Sequence, residues 1–257
     1  MRADLYLFKN GYSKSREKAR TLIEGGCVKI NSVTVKKPSF NIDENTDISV
    51  RIDDICPFVS RGGMKLDKIL SDIKLDVSGF TALDIGASTG GFTDCLLQRG
   101  AALVYAVDSG HGQLDEKIIN DKRVISIEGF NARNIADGTI PENIDIEVVD
   151  VSFISQSYIL PEAVKLLKPD GVYIGLIKPQ FEAGRENISK GGIVKDKKAR
   201  YASVMRIVEC ARQNSILPFA FIESPIKGGD GNTEYLCAFS RSRGELNQKS
   251  IKNIVLG

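Results

Sequence analysis

The stretch LDIGASTGGFTDCLL sets an acid, Asp84, directly before a glycine-rich turn that contains Gly86, Gly90 and Gly91. Glycines let a ligand come close to the backbone, and the start of the following helix offers free N–H donors. The glycines are spaced G-x-x-x-G-G, not the G-x-G-x-x-G of a dinucleotide pyrophosphate site. A second acid, Asp108, ends the next apolar run, LVYAVD, where a carboxylate is suited to hold the two hydroxyls of a ribose. Together the two acids suit a cationic, ribose-bearing cofactor such as S-adenosylmethionine. Three more charges stand at the ends of apolar runs: Asp150 in VVDVSFIS, Lys178 in LIKPQFEAG and Glu234 in GNTEYLCAF. Asp150 lacks the two prolines of the N-P-P-Y or D-P-P-Y signature of adenine methylation, so a base nitrogen is disfavoured as acceptor. Lys178 leaves a strongly apolar run just before a proline and is partly desolvated there. In that setting the side chain can be made a proton acceptor, as the amine, or a placed charge, as the ammonium. Lys65, in SRGGMKLDKIL, lies beside the helical stripe Leu66, Ile69, Leu70 and Ile73.

These residues need a frame that brings strand ends together. The apolar runs TALDIG, LVYAVD, RVISIE, IDIEVVD, GVYIGLIK, ILPFAFIE and EYLCAFS read as seven strands, most of them separated by helical segments. The pattern predicts an α/β fold with a doubly wound, mainly parallel sheet, whose ligands sit beyond the carboxyl ends of the strands. A chain of 257 residues that is 42% hydrophobic can bury a full core. No run approaches 18 apolar residues and MRADLYLFKNGYSKS has no apolar leader segment, so the expectation is a cytoplasmic protein without a membrane span. Five cysteines without a C-x-x-C pair, and a single histidine, His111, predict free thiols and no metal site. His111 reads as a loop residue near the cofactor, and Phe92 as a buried helix residue.

The first 37 residues carry nine Lys/Arg against three acids, and residues 38–60 carry one Arg against five acids. Clustered Lys/Arg gain affinity for nucleic acid by releasing its counterions, so the basic cap predicts a phosphate-binding module. Leu5 and Phe8 mark one side of a short helix; a second helix carries Ala19, Leu22 and Ile23 and presents Arg16 and Arg20, four apart, as a ridge. CVKINSVTV then reads as a hairpin about Asn31-Ser32, and DISV as a further strand. With its R-x-D-x-x-L, S-R-x-x-A and G-x-V elements this stretch resembles the alpha-L RNA-binding module named after the fourth small-subunit ribosomal protein. The resemblance implies a small α+β domain that grips structured RNA through Arg2, Arg16, Lys18, Arg20 and Lys29.

FVSRGGMKL, LDIGASTGGFTDCLL, DVSFIS, LIKPQFEAG, SKGGIV and SPIKGGDGNTEYL together closely resemble the TlyA family, historically labelled haemolysins and related to FtsJ-like ribose methyltransferases. That resemblance implies an RNA-binding module with its linker over 1–58, a Rossmann-like, seven-stranded methyltransferase domain over 59–245 and a tail over 246–257. It implies 2′-O-methylation of ribose in ribosomal RNA, at cytidine, with ribosomal RNA or ribosomal subunits as partner. Carried over by motif, the catalytic tetrad is Lys65, Asp150, Lys178 and Glu234. By position and resemblance, S-adenosylmethionine falls to Asp84, Gly86, Ser88, Thr89, Gly90, Gly91 and Phe92 in the first loop, Asp108, Ser109 and Gly110 in the second, and Asn131 after the third strand. The basic, glycine-containing stretch from Phe181 to Arg200 reads as a flexible loop over RNA. A non-catalytic RNA-binding or ribosome-assembly factor, and the haemolysin of the old label, stay open as alternatives. The residues also leave open which lysine receives the proton.

Overall fold

Two helices and three short strands make up the first of two units, Met1–Pro57 and Phe58–Gly257. The computed structural model describes residues 1–13, 15–24, 28–30, 33–35, 37–42, 48–50, 56–141, 143–228 and 231–257, with side chains except at 18, 21, 24 and 48–50. Helix α1 (Ala3–Lys9) has Asp4 in its first turn and Lys9 in its last, both favourable toward the helix dipole. Its buried residues are Ala3, Asp4 and Leu7, while Phe8 is exposed, so the stripe expected at Leu5 and Phe8 is rotated. Ala3 and Leu7, four apart, face Ala19 and Ile23 of α2 (Arg16–Glu24) in the unit's own apolar core. Strand β1 (Val28–Ile30) pairs antiparallel with both β2 (Val33–Thr34) and β3 (Ile48–Val50). The Ile30–Val33 register is that of the expected hairpin, whose turn at Asn31-Ser32 lies outside the described residues.

In the second unit all seven apolar runs form strands of one sheet: β4 (Thr81–Ile85), β5 (Leu103–Val107), β6 (Val124–Ile127), β7 (Ile144–Val149), β8 (Leu167–Ile177), β9 (Leu217–Glu223) and β10 (Tyr235–Ser240). Their order is β6-β5-β4-β7-β8-β10-β9, and β10 runs antiparallel to both its neighbours while the others are parallel. Both faces are covered, as continuous apolar strands require. Against one face, α3 (Gly62–Asp72) and α4 (Gly91–Gln98) bring Leu66, Ile69, Leu70 and Leu96 onto Ala82, Val148 and Ile174. Against the other, α6 (Leu160–Ala163), α8 (Lys197–Gln213) and α9 (Gln248–Leu256) pack onto Leu83, Val149, Tyr173 and Phe239. The short α5 (Glu116–Ile119) precedes β6, and α7 (Pro179–Glu182) follows β8.

Two expectations are corrected here. Residues 246–257 are not a tail, because Ile251 and Val255, four apart on α9, are buried in the core. The stretch from Phe181 to Arg200 is not one loop: α7 occupies its start, Arg185–Asn187 form a 3-10 turn, and Asp196 caps α8 by accepting from the N–H groups of Lys198 and Ala199. Among the described residues no helix is long and apolar enough to cross a membrane, and Cys95, Cys210 and Cys237 are free thiols.

Glu147 sits in the middle of β7, in register with Leu83 and Tyr173, fully buried and with neither carboxylate oxygen partnered. Burial pushes its carboxyl well above the ordinary 4.5, and Arg241 offsets this only in part. The native state therefore holds a proton that the unfolded chain releases above that value, so stability falls as pH rises from there. Glu147→Gln is expected to raise Tm at pH 7.5, with a gain that vanishes near pH 4 and grows by up to ~1.4 kcal/mol per pH unit in between. Thermal unfolding at the two pH values checks this, and equal Tm at pH 7.5 refutes it.

Candidate active site

The carboxyl ends of β4, β5, β7 and β8 converge on one edge of the sheet, and the loops that leave them line two adjoining cavities. The larger, about 680 Å³, is bounded by Gly86, Ser88, Asp108, Ser109, Asn131, Arg133, Asp150, Ser152 and Phe153, among others. The smaller, about 260 Å³, is bounded by Arg61, Lys65, Thr89, Gly91, Phe92, Lys178 and Lys227 among others, and again by Gly86, Ser88, Asp150 and Ser152. Those four shared residues are the junction. A volume near 700 Å³ is in the range of a drug-sized ligand's pocket.

Glycine makes the junction possible. Gly86 has φ +86°, and a Cβ there would lie 2.7 Å from the Asp150 carbonyl oxygen. A Cβ on Gly91 would meet the Ser60 hydroxyl at 2.1 Å and the Gly63 backbone nitrogen at 3.0 Å, so glycine lets the start of α4 lie close against the segment leading into α3. This close approach sets Lys65, on the first turns of α3, into the small cavity.

Each lysine has its own carboxylate. The Lys65 ammonium, buried, donates to Glu234 Oε2 at 2.6 Å. The other Glu234 oxygen faces the Gln180 amide at 3.5 Å. Lys178 Nζ lies 2.6 Å from Asp150 Oδ1 and donates to the Ser152 hydroxyl at 2.9 Å. The structure thus gathers all four tetrad residues in two ion pairs, and the small cavity's lining includes three of them directly.

The cofactor residues divide. Asp108 spans the first two loops, accepting from the Ser88 N–H and the Gly110 N–H at 2.8 Å each, and leaves a further lone pair on each oxygen. Asn131 accepts from the Arg133 N–H, which fixes the turn after β6. Asp84 does not line either cavity. It is fully buried beneath the glycine loop, Thr93 donates to one of its oxygens at 2.7 Å, and the other oxygen has no partner. Burial pushes its carboxyl up to about 7. Gly90 and Gly110 shape their loops without lining a cavity, Phe92 is buried in the α3–α4 core, and His111 is 77% exposed.

Two residues that line the cavities escaped the sequence reading. Ser152 is the hydroxyl partner of Lys178. Phe153 is 92% exposed with φ +64°, its ring 5.2 Å from that of Phe181. Only an aromatic next to D-V-S hinted at it, and nothing local foretells a ring left in solvent.

In the first unit Asp4 is fully buried and receives Arg2 at 3.0 and 3.1 Å and Arg16 at 3.1 Å, with Arg20 at 3.8 Å. The Arg2 guanidinium, then Arg16, hold the Asp4 carboxyl down at about 2 despite its burial. The outer faces of all three guanidiniums stay in solvent. Lys29 is on the central strand β1, and the side chain of Lys18 lies outside the described residues.

Known proteins are similar to this chain in sequence and fold. Residues 58–241 match the FtsJ-like methyltransferase family and residues 1–48 match the S4 domain. Hemolysin A of Brachyspira hyodysenteriae is 44% identical, over 93% of this chain and 99% of its own. The 16S/23S rRNA (cytidine-2′-O)-methyltransferase TlyA of Mycobacterium tuberculosis is 39% identical, over 91% of this chain and 87% of its own. A solved Streptococcus thermophilus structure that carries a hemolysin label is 38% identical with a TM-score of 0.77, covering 100% of this chain and 94% of that one. With a family match over more than half its length and relatives this similar along nearly all of it, the chain belongs to the FtsJ-like methyltransferases that carry an S4 domain.

Proposed function

We propose that this protein transfers the methyl group of S-adenosylmethionine to the 2′-hydroxyl of a cytidine ribose in ribosomal RNA. The observation that carries the reading is the junction of the two cavities. Asp150 and Ser152 border both, and each holds Lys178. A group in the large cavity and a ribose in the small one would meet there. The acceptor is supported by the M. tuberculosis relative, which is named for cytidine-2′-O-methylation of 16S and 23S rRNA.

The residues fit the cofactor. Asp108, with lone pairs to spare, would take the ribose hydroxyls; Gly86 and Ser88 would lie against it, and Asn131 would border its base. When bound, S-adenosylmethionine supplies an electrophilic methyl group. The chain then has to align a poor nucleophile and take up one proton. Lys178 donates to the Ser152 hydroxyl and stands 2.6 Å from Asp150 Oδ1 as an ion pair, which leaves N–H capacity of the ammonium for the 2′-oxygen. As the oxygen forms its new bond, Lys178 passes one of its protons to the Asp150 carboxylate 2.6 Å away and takes the hydroxyl proton in its place. Lys65 lines the small cavity with Glu234 paired behind it, so the four charges sum to zero around an uncharged ribose. Arg2, Arg16 and Arg20, fixed by Asp4, would hold backbone phosphates of the RNA.

The test is to map 2′-O-methyl marks in ribosomal RNA from wild-type and deletion strains and to restore the missing mark with purified protein and S-adenosylmethionine. An unchanged set of marks refutes the reading. Asp108→Ala is expected to weaken S-adenosylmethionine binding by roughly 10- to 100-fold, the worth of hydrogen bonds to a charged group. Calorimetry measures it, and an unchanged Kd removes Asp108 from the cofactor site.

A further inference from the structure

The loop after β7 and the segment after β8 form a closed ring. Asp150 and Lys178 join it at one end. The rings of Phe153 and Phe181 meet in the middle. At the other end Glu182, only 2% exposed, accepts from the Gln156 N–H at 2.9 Å through one oxygen and from the Ser155 hydroxyl through the other. The Gln156 side chain turns back onto β8, donating to the Leu176 carbonyl at 2.5 Å and receiving Tyr173 OH at 3.3 Å. It fits only because residue 175 is glycine, since a Cβ there would lie 2.3 Å from Gln156 Oε1.

A single ion pair cannot hold two loops in place, because a partly exposed pair contributes only ~0–1 kcal/mol. Glu182 has neutral donors for both oxygens and no ion-pair partner among the described residues. Burial raises its carboxyl above the ordinary range. A carboxyl placed this way does little for stability that an apolar side chain would not do better. What it does supply is a fixed spacing between the two loops at the end away from the ion pair.

Building on the function proposed above, we infer that Glu182 is a positioning residue for methyl transfer, which sets the Lys178–Asp150 couple by locking the loop of residues 150–156 to that of residues 178–182. It touches neither cavity and acts only through this register.

The test uses the full chain as Glu182→Ala and Glu182→Gln. Calorimetry gives the S-adenosylmethionine Kd and the fraction of molecules that bind it. Single-turnover methyl transfer to unmodified ribosomal RNA is then measured per binding-competent molecule. Glu182→Ala is expected to be roughly 10- to 100-fold slower, the cost of misplacing a reacting group by an ångström or less, with Kd within about twofold of wild type. Glu182→Gln keeps the acceptor for the Gln156 N–H and is expected within about threefold of the wild-type rate. Glu182→Ala at the wild-type rate, or Glu182→Gln as slow as Glu182→Ala, overturns the inference. Should Glu182→Ala not fold, Ser155→Ala decides: a rate reduced by a few fold supports the ring, and a wild-type rate overturns it. A wild-type chain that transfers no methyl to ribosomal RNA overturns the parent reading and this one with it. An active wild type matched by Glu182→Ala overturns this one alone.

Discussion

Lys178→Ala is expected to lower single-turnover methyl transfer to ribosomal RNA by roughly 10²- to 10⁴-fold, the range of a positioned proton-transfer group, and to leave S-adenosylmethionine affinity within about twofold. The separation of the two effects follows from where Lys178 stands. It lines the small cavity, whereas Asp108, Ser109 and Asn131 line the large one. Removing the ammonium also leaves Asp150 without its partner at 2.6 Å, and so the couple proposed to take up the proton disappears as a unit. Lys178→Arg should not rescue the rate, because a planar guanidinium cannot reproduce an ammonium held between Asp150 and Ser152. Rapid-quench assays with radiolabelled cofactor, beside calorimetry, give both quantities. A Lys178→Ala protein that methylates at the wild-type rate sinks the assignment of the couple.

The second large effect falls on stability and activity together. Glu234 and Lys65 are both buried, and their ion pair is 2.6 Å long. Breaking such a pair from one side strands a charge in the interior and costs about 3–5 kcal/mol. In a unit of this size that corresponds to a Tm lower by roughly 10 °C, and Glu234→Ala is expected to show it alongside lost methyl transfer. The double variant Lys65→Met, Glu234→Leu removes both charges and fills the space with apolar atoms. It is expected to return to near the wild-type Tm, since apolar replacement of a buried pair is often neutral or stabilising, while remaining inactive. Thermal unfolding of the single and double variants is the measurement. A Glu234→Ala protein as stable as wild type contradicts a buried, mutually dependent pair.

The strands and the site residues were legible to different depths. The runs TALDIG through EYLCAFS each became a strand because a strand covered on both faces must be apolar along its length, and that is a local property. Asp108, Asp150 and Lys178 could be picked out because each directly follows such a run, at the end where parallel strands open toward a ligand. Asp84 was picked out as the acid before the glycine-rich turn, and it lies inside β4, one residue before the strand ends, so the pleat turns it into the protein and under the loop. Phe8 misled for a kindred reason, since an aromatic at helical spacing looks like core until the partner helix shows which stripe it covers.

The sequence by itself determined the alternation of strands and helices, the glycine loop, the acids and lysines available at strand ends and the basic character of the first unit. All of these depend on residues close together in the chain, whose periodicity and side-chain chemistry act without knowledge of distant partners. Only the tertiary structure decided which charges pair. Lys65 and Glu234 are 169 residues apart and meet because the sheet order sets β10 beside β8 and because Gly91 lets α4 approach the start of α3. The same long-range packing turned residues 246–257 from a polar-looking tail into a core helix, left Phe153 in solvent and closed the ring through Glu182. Strand order and loop closure are collective properties of the packed chain, so the pairs they create have no local signature to read.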